Sequence, residues 1–217
     1  METLENMQEF FASRAEEYDE HMLLHVEGCK EAYDMVPSLI PERAGKLLDL
    51  GCGTGLELAG IFRKYPQIEV VGIDLTEAML EKLQEKYANR KIELVCGNYF
   101  AVDLGRQLYD VVISFQTMHH FSPEKKTGLY SRIYEALKAD GLYIECDYMA
   151  GTDAEEIFHF AENEKIRSSA GLGETAFYHY DTPCTPQHQM EMLKTAGFKS
   201  SKQVFHQGNT TMLLSCK

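Results

Sequence analysis

The segment Asp49-Leu50-Gly51-Cys52-Gly53-Thr54-Gly55 sets three glycines at alternate positions directly behind an apolar run. Glycine lets the backbone turn tightly, and without a Cβ it lets a ligand lie against the chain. Asp74, 21 residues after Gly53, ends a second apolar run. A carboxylate at that spacing accepts hydrogen bonds from ribose hydroxyls. In a βαβ context the two signals together predict a nucleoside-type ligand. A dinucleotide fingerprint needs its third glycine one residue later, where Leu56 stands. That spacing disfavours a nicotinamide-dependent oxidoreductase.

Histidine and cysteine give weaker signals. His119-His120 follow a later apolar run, while His159, His179, His188 and His206 are scattered. None of these six is at HxxxH spacing from another, so no metal is expected. The six cysteines show no CxxC pair. A chain of 217 residues does not depend on disulfides, and the cysteines read as reduced thiols, mostly in core strands.

These residues need elements to position them. Phe10 to Met22 and Glu27 to Val36 read as helices. Lys46 to Leu50 is apolar on both faces, as a buried parallel strand requires. Strand-like runs at 69–73, 92–96, 110–115 and 142–147 then alternate with helical runs at 56–65, 76–87 and 122–137. Ser122-Pro123 supplies an N-cap and a first-turn proline, and Asp140-Gly141 is expected to close that helix. Thr185-Pro186 opens a helix ending at Gly197. Phe198 to His206 and Thr210 to Cys216, joined by Gln207-Gly208-Asn209, read as an antiparallel hairpin. The alternation predicts an α/β chain: a Rossmann-like, doubly wound, mostly parallel seven-stranded sheet with a C-terminal antiparallel hairpin and a helical cap. Residues 1–217 are expected to form a single domain. Within it, residues 1–40 form an N-terminal cap segment and residues 151–184 an irregular helical cap insertion at the ligand-binding edge of the sheet.

The motif Leu48-Asp49-Leu50-Gly51-Cys52-Gly53-Thr54-Gly55 closely resembles motif I of class I S-adenosylmethionine-dependent methyltransferases. Val71-Gly72-Ile73-Asp74 with Met79-Leu80 is similar to the family's second motif. Gly97-Asn98 stands where the family usually has Gly-Asp; the amide oxygen of Asn98 keeps an acceptor for the adenine amine but carries no charge. Tyr109-Asp110-Val111-Val112 through Met118-His119-His120-Phe121 resembles the fourth-strand motif. The resemblance spans nearly the whole chain and implies S-adenosyl-L-methionine as cofactor. The cofactor-binding residues it implies are Asp49, near the methionine ammonium, with Gly51, Cys52, Gly53, Asp74, Leu75, Met79, Asn98, Tyr99, Ser114 and Phe115.

Phe11-Ala12 with Tyr18-Asp19-Glu20-His21, and Ala196-Gly197-Phe198 leading into Val204-Phe205, are similar to carboxy-S-adenosylmethionine synthases and related small-molecule methyltransferases. In such enzymes the N-terminal helix folds over the cofactor, so the resemblance implies that Arg14 and Tyr18 face the site. The synthases use an arginine of the cap segment to hold a carboxylate substrate, whereas residues 168–185 here contain neither Lys nor Arg. The expected activity is therefore methyl transfer to a small-molecule acceptor. A synthase-like enzyme and a non-catalytic S-adenosylmethionine-binding module are the alternatives.

Methyl transfer is an in-line displacement in which the protein mainly aligns its reactants. A base helps where the acceptor must lose a proton. The expected catalytic residues are His119, His120 and Tyr18, in that order, while Tyr148, Tyr178, His179 and Tyr180 are candidates for the acceptor pocket. The N-terminal segment and the insertion are expected to close over the site, with Tyr18, Phe158, Phe177, Tyr178 and Tyr180 as an aromatic wall.

The net charge of -13, without a run of Lys and Arg, disfavours nucleic acid and anionic membrane as partners. RNA or protein methylation is disfavoured for the same reason. Neither a signal-like start nor an apolar stretch near ~20 residues is seen, so the expected setting is cytoplasmic. A monomer or homodimer is expected.

Overall fold

The computed structural model describes residues 4–173 and 177–217. Residues 1–3 of the expected N-terminal cap segment and 174–176 of the expected insertion lie outside the described residues.

Seven strands form one sheet: β1 (Lys46–Leu50), β2 (Glu69–Asp74), β3 (Ile92–Cys96), β4 (Tyr109–Phe115), β5 (Leu137–Tyr148), β6 (Ser200–Gln207) and β7 (Thr210–Cys216). Their spatial order is β3-β2-β1-β4-β5-β7-β6. The first five are parallel, and β7 runs antiparallel between β5 and β6. Leu47, Leu48 and Leu50 of β1 are fully buried. Each contributes roughly 1.5–3 kcal/mol of transfer free energy, which is why a five-residue strand can anchor the sheet centre.

The helices are α1 (Met7–Arg14), α2 (Tyr18–Leu24), α3 (Cys29–Leu39), α4 (Leu58–Lys64), α5 (Glu77–Lys86), α6 (Pro123–Ala136), α7 (Asp153–Ala170) and α8 (Pro186–Thr195). Apolar residues of α3, α4 and α5 pack with Leu47, Val70 and Val111 on one face of the sheet. Those of α6 and α8 pack with Leu48, Val71 and Val112 on the other. The strand order reverses between β1 and β4, so the carboxyl ends of these strands flank a crevice where ligands of such sheets bind.

Four local readings differ from the sequence expectation. The helix expected over 10–22 is two helices broken at 15–17. Asp140-Gly141 does not close α6; β5 already begins at Leu137, and Asp140, at φ +58°, sits where the β4–β5 register shifts. The insertion is not irregular throughout, because α7 runs for 18 residues with Thr152 capping its N-terminus. Phe158 on that helix is 61% exposed and lies off the pocket wall. All six cysteines are free thiols, four of them buried.

Candidate active site

The glycine segment leaves β1 and folds back on β2. The N–H groups of Gly51 and Cys52 both donate to the Ile73 carbonyl, at 2.8 and 3.2 Å. Gly51 adopts φ +71°, and a Cβ there would fall 2.6 Å from Thr117 Oγ1. Conformation and space therefore both demand glycine. The Gly53 N–H donates to Asp74 Oδ2 at 2.9 Å, and the Thr76 N–H donates to Asp74 Oδ1 at 2.8 Å. Burial raises the Asp74 carboxyl above its usual pKa, and these N–H groups act against it.

Asp49, at the end of β1, is fully buried beside the buried Glu57. No donor from another described residue reaches either Asp49 oxygen or Glu57 Oε1. Burial, and after it the neighbouring Glu57, push the Asp49 carboxyl well above the usual carboxylate range; burial pushes Glu57 up as well. Buried carboxylate oxygens normally find donors. Such a pair suits a shared proton or a bound cation.

The Gly51 turn, Asp74, Leu75, Asn98 and Tyr99 line a narrow cavity of about 50 Å³, closed by Phe11, Phe121 and Phe177. Asn98 Oδ1 accepts the Phe100 N–H at 2.9 Å, which leaves one lone pair for a ligand. Four other residues implicated by the sequence present their side chains to the core. Cys52 and Met79 are buried, Ser114 Oγ lies 2.7 Å from Tyr143 Oη, and Phe115 stacks on Tyr33 at 4.0 Å.

A larger cavity of about 700 Å³ opens beside it, at the carboxyl ends of β4 and β5. Its floor carries His119 and His120, which occupy a 3₁₀ turn (Met118–His120) after β4. Tyr18, Arg14 and Phe11 line it from the N-terminal helices. Arg14 is held at 3.2 Å by Glu5 and lies over the Phe10 ring. Tyr18 lies close over the glycine turn: a Cβ on Gly53 would meet its ring at 3.7 Å. Burial, and the acids Glu57 and Asp74 after it, raise the Tyr18 phenol pKa. The neighbouring Asp19 accepts from Thr54 Oγ1 at 2.5 Å and pairs with Lys86, tying α2 to the turn and to α5.

The N-terminal segment and the insertion meet over this cavity. Asn6 and Tyr178 form an antiparallel bridge, the Met7 N–H donates to the Phe177 carbonyl, and the His179 N–H donates to the Glu5 carbonyl. Phe10 stacks on His179 with ring centroids 3.6 Å apart.

His119 Nδ1 lies 2.6 Å from Oδ1 of the fully buried Asp147 on β5. Burial opposes the imidazolium, but the Asp147 carboxylate outweighs it and raises the His119 pKa. Asp147 thus orients the ring with Nε2 turned away, toward Asp181 at 3.5 Å. Burial, then His119, lower the pKa of His120; burial, then His120, bring His179 to about 4. Behind Asp147, Glu145 accepts from Tyr130 Oη at 3.0 Å and from Gln189 Nε2 at 2.5 Å. Burial and Asp147 push Glu145 to about 8. Sequence reasoning missed Asp147, Asp181 and Glu57. The available signal was the pair of acids, Glu145 and Asp147, in the otherwise apolar run 142–147.

Comparison with known proteins agrees with this geometry. Residues 47–141 match the profile of a family described as a methyltransferase domain. A carboxy-S-adenosyl-L-methionine synthase of Nautilia profundicola is 26% identical over 182 residues, covering 79% of this chain and 77% of that protein. A malonyl-[acyl-carrier protein] O-methyltransferase of Priestia megaterium is 26% identical over 159 residues, 72% of this chain and 57% of that one. The structure of human N-acetylserotonin methyltransferase in complex with SAM superposes with a TM-score of 0.67 at 16% identity, which shows a shared fold. The chain covers 56% of that structure's length, and 97% of the chain is matched.

Proposed function

Because the chain carries a class I S-adenosylmethionine-dependent methyltransferase domain, we propose that it methylates a small molecule held in the 700 Å³ cavity, with His119 accepting the proton that the acceptor releases. The observation that carries this reading is the buried His119–Asp147 pair on the floor of that cavity. Asp147 fixes the ring tautomer and favours the imidazolium once formed, as a carboxylate behind a catalytic histidine does.

The residues present fit the cofactor. The unpartnered carboxylate oxygens of Asp49 and Glu57 suit the methionyl ammonium, and Asp74 suits the ribose diol. The narrow cavity bounded by Leu75, Asn98 and Tyr99 suits the adenine. When bound, S-adenosylmethionine supplies an electrophilic methyl group on a cationic sulfur. The protein's own work is to align the acceptor, hold the proton at His119 Nε2 and keep water out. Tyr18 and His120 shape the wall next to the cofactor.

Residues 1–217 act on this reading as one domain, with 1–40 and 151–184 as its cap. The pairing of residues 5–7 with 177–179 supports closure of the two segments as a unit. Carboxy-S-adenosylmethionine synthase chemistry, named for several relatives, is the second reading. It requires a cation to hold a carboxylate. Among the described residues Arg14 is the one arginine or lysine lining the cavity, and Glu5 engages it. Methyl transfer is therefore preferred.

The surface charge of -13 supports an acceptor that is not nucleic acid. Among the described residues no helix is long and apolar enough to cross a membrane. A cytoplasmic monomer or homodimer completes the proposal. Calorimetry with S-adenosylmethionine, S-adenosylhomocysteine and NADH tests the cofactor. Labelled methyl transfer to small hydroxyl, amine and thiol acceptors, by wild type and His119→Ala, tests the chemistry. Binding of NADH alone would overturn the reading, as would full turnover by His119→Ala.

A further inference from the structure

The floor of the acceptor cavity brings together side chains that lie up to 62 residues apart in sequence. Asp181 Oδ1 is buried and has no hydrogen-bond partner among the described residues. Three ring nitrogens surround it without closing on it: His120 Nδ1 at 3.4 Å, His119 Nε2 at 3.5 Å and His179 Nε2 at 4.0 Å. Charge-assisted hydrogen bonds would draw such atoms to about 2.7–2.9 Å. The observed spacing is instead that of ligands around an ion. Four ligands at ~2.1 Å in a tetrahedron stand about 3.4 Å from one another.

We infer that His119, His120 and Asp181, with His179 turned in as a fourth donor, bind one divalent transition-metal cation, zinc being the ion that fits them. Histidine nitrogen and carboxylate oxygen are its ordinary donors. The groups that would orient these ligands are also in place. A metal-bound histidine usually gives its other ring N–H to a carboxylate, which sets the tautomer. Asp147 accepts that bond from His119 Nδ1 at 2.6 Å, leaving Nε2 for the metal. The His119 carbonyl is held by the Thr182 N–H at 2.6 Å and the Thr182 hydroxyl at 3.0 Å, so the turn is fixed to the segment that carries Asp181.

The ion would sit where the cavity lets a further ligand join as a fifth donor or take the place of His179. A hydroxyl or thiol of an acceptor could bind there as the anion, its proton passing to solvent, because a bound cation lowers the pKa of its ligand. His119 would then serve as a ligand, and the task of ionising the acceptor would pass from its ring to the metal. The inference goes beyond the methyl-transfer reading and does not depend on it, since its test reads metal binding.

The chelator-stripped full chain is titrated with zinc by calorimetry, and with cobalt(II) by visible absorption, whose intensity reports a tetrahedral site. Wild type should take up one ion. Asp181→Asn and His179→Ala should each weaken zinc by on the order of 100-fold, and Asp147→Asn by about 10- to 100-fold. Circular dichroism and S-adenosylmethionine binding should remain at wild-type levels in Asp181→Asn and His179→Ala. A second group, Glu156, Cys184 and His188, provides the control. Uptake that is lost in Glu156→Gln but kept in Asp181→Asn and His179→Ala would overturn the assignment. So would a wild-type chain with no zinc affinity better than millimolar.

Discussion

Replacing Asp49 by Asn should make the ligand-free protein more stable and a poorer binder of S-adenosylmethionine. Asp49 and Glu57 are two buried carboxyls with no outside donor, so the empty site keeps them at a cost. A buried polar group left unsatisfied costs about 1–3 kcal/mol, and a charged one more. For a chain of this size each kcal/mol moves Tm by roughly 2–4 °C, so Asp49→Asn should melt about 2–12 °C higher without ligand. The same change would remove the charge-assisted contact to the cofactor's ammonium that the proposed function assigns to Asp49. That contact is worth about 1.5–3 kcal/mol, or roughly 10- to 150-fold in Kd. The pH dependence has a definite sign. Burial raises Asp49 above its ordinary value of 3.8, so its contribution to stability is complete below that value and is lost as pH rises through the raised pKa. Wild type should therefore lose ligand-free stability with rising pH more steeply than Asp49→Asn. If the pair shares a proton when empty, cofactor binding must expel it, and the binding enthalpy will vary with the ionisation heat of the buffer. Thermal melts across pH and calorimetry in two buffers measure all of this. A variant that is less stable when empty and binds with unchanged affinity would refute the argument.

Asp74→Ala removes the proposed ribose partner together with the bonds that hold Gly53 and Thr76; calorimetry should show affinity for S-adenosylmethionine falling roughly tenfold to a hundredfold. Asp147→Asn should lower turnover by about 10- to 100-fold in assays without added metal, and should move the acid limb of the pH–rate profile to lower pH, because the carboxylate that raises His119 is gone. An unshifted profile would separate Asp147 from the proton transfer. Residues 5–24 and 151–184 should be cut readily by protease in the ligand-free protein and protected with S-adenosylhomocysteine bound; equal cutting in the two states would make them a fixed cap.

The sheet was legible because short strand-like runs stand apart from the helical runs between them. Lys46–Leu50, Ile92–Cys96 and Thr210–Cys216 fall where the residues alone place them. The break between α1 and α2 left no such mark, since residues 15–17 include neither glycine nor proline. The geometry of the glycine turn, on which the proposed nucleoside site rests, was legible for a related reason. The glycine turn and Asp74 are set by backbone geometry, and backbone geometry fixes sequence spacing. The acceptor side was not. Asp147 meets His119 from an adjacent strand 28 residues away, and Asp181 arrives 62 residues after His119 along a segment outside the repeating pattern. No local period records such a meeting. Phe158 misled because aromatic content in a helix does not say which face is covered, and α7 has no buried residue.

The two cavities are not independent, and their shared walls bear on the order of events. Phe11 and His120 line both. Tyr18 lines the larger cavity while lying close to the glycine turn, and Asp19, next to it, is tied to Thr54 and Lys86. Any outward movement of α1 and α2 that admits a cofactor must therefore also take away part of the acceptor wall. The bridge between Asn6 and Tyr178 carries the change to the segment holding His179 and Asp181. An acceptor that arrived first would find its wall incomplete whenever the cofactor entrance was open. One that arrived after closure would find Phe11, Tyr18 and the His119–Asp147 pair already placed. On the proposed function the hydrogen bonds that would seal the cofactor would also assemble the acceptor site, which favours cofactor first and acceptor second.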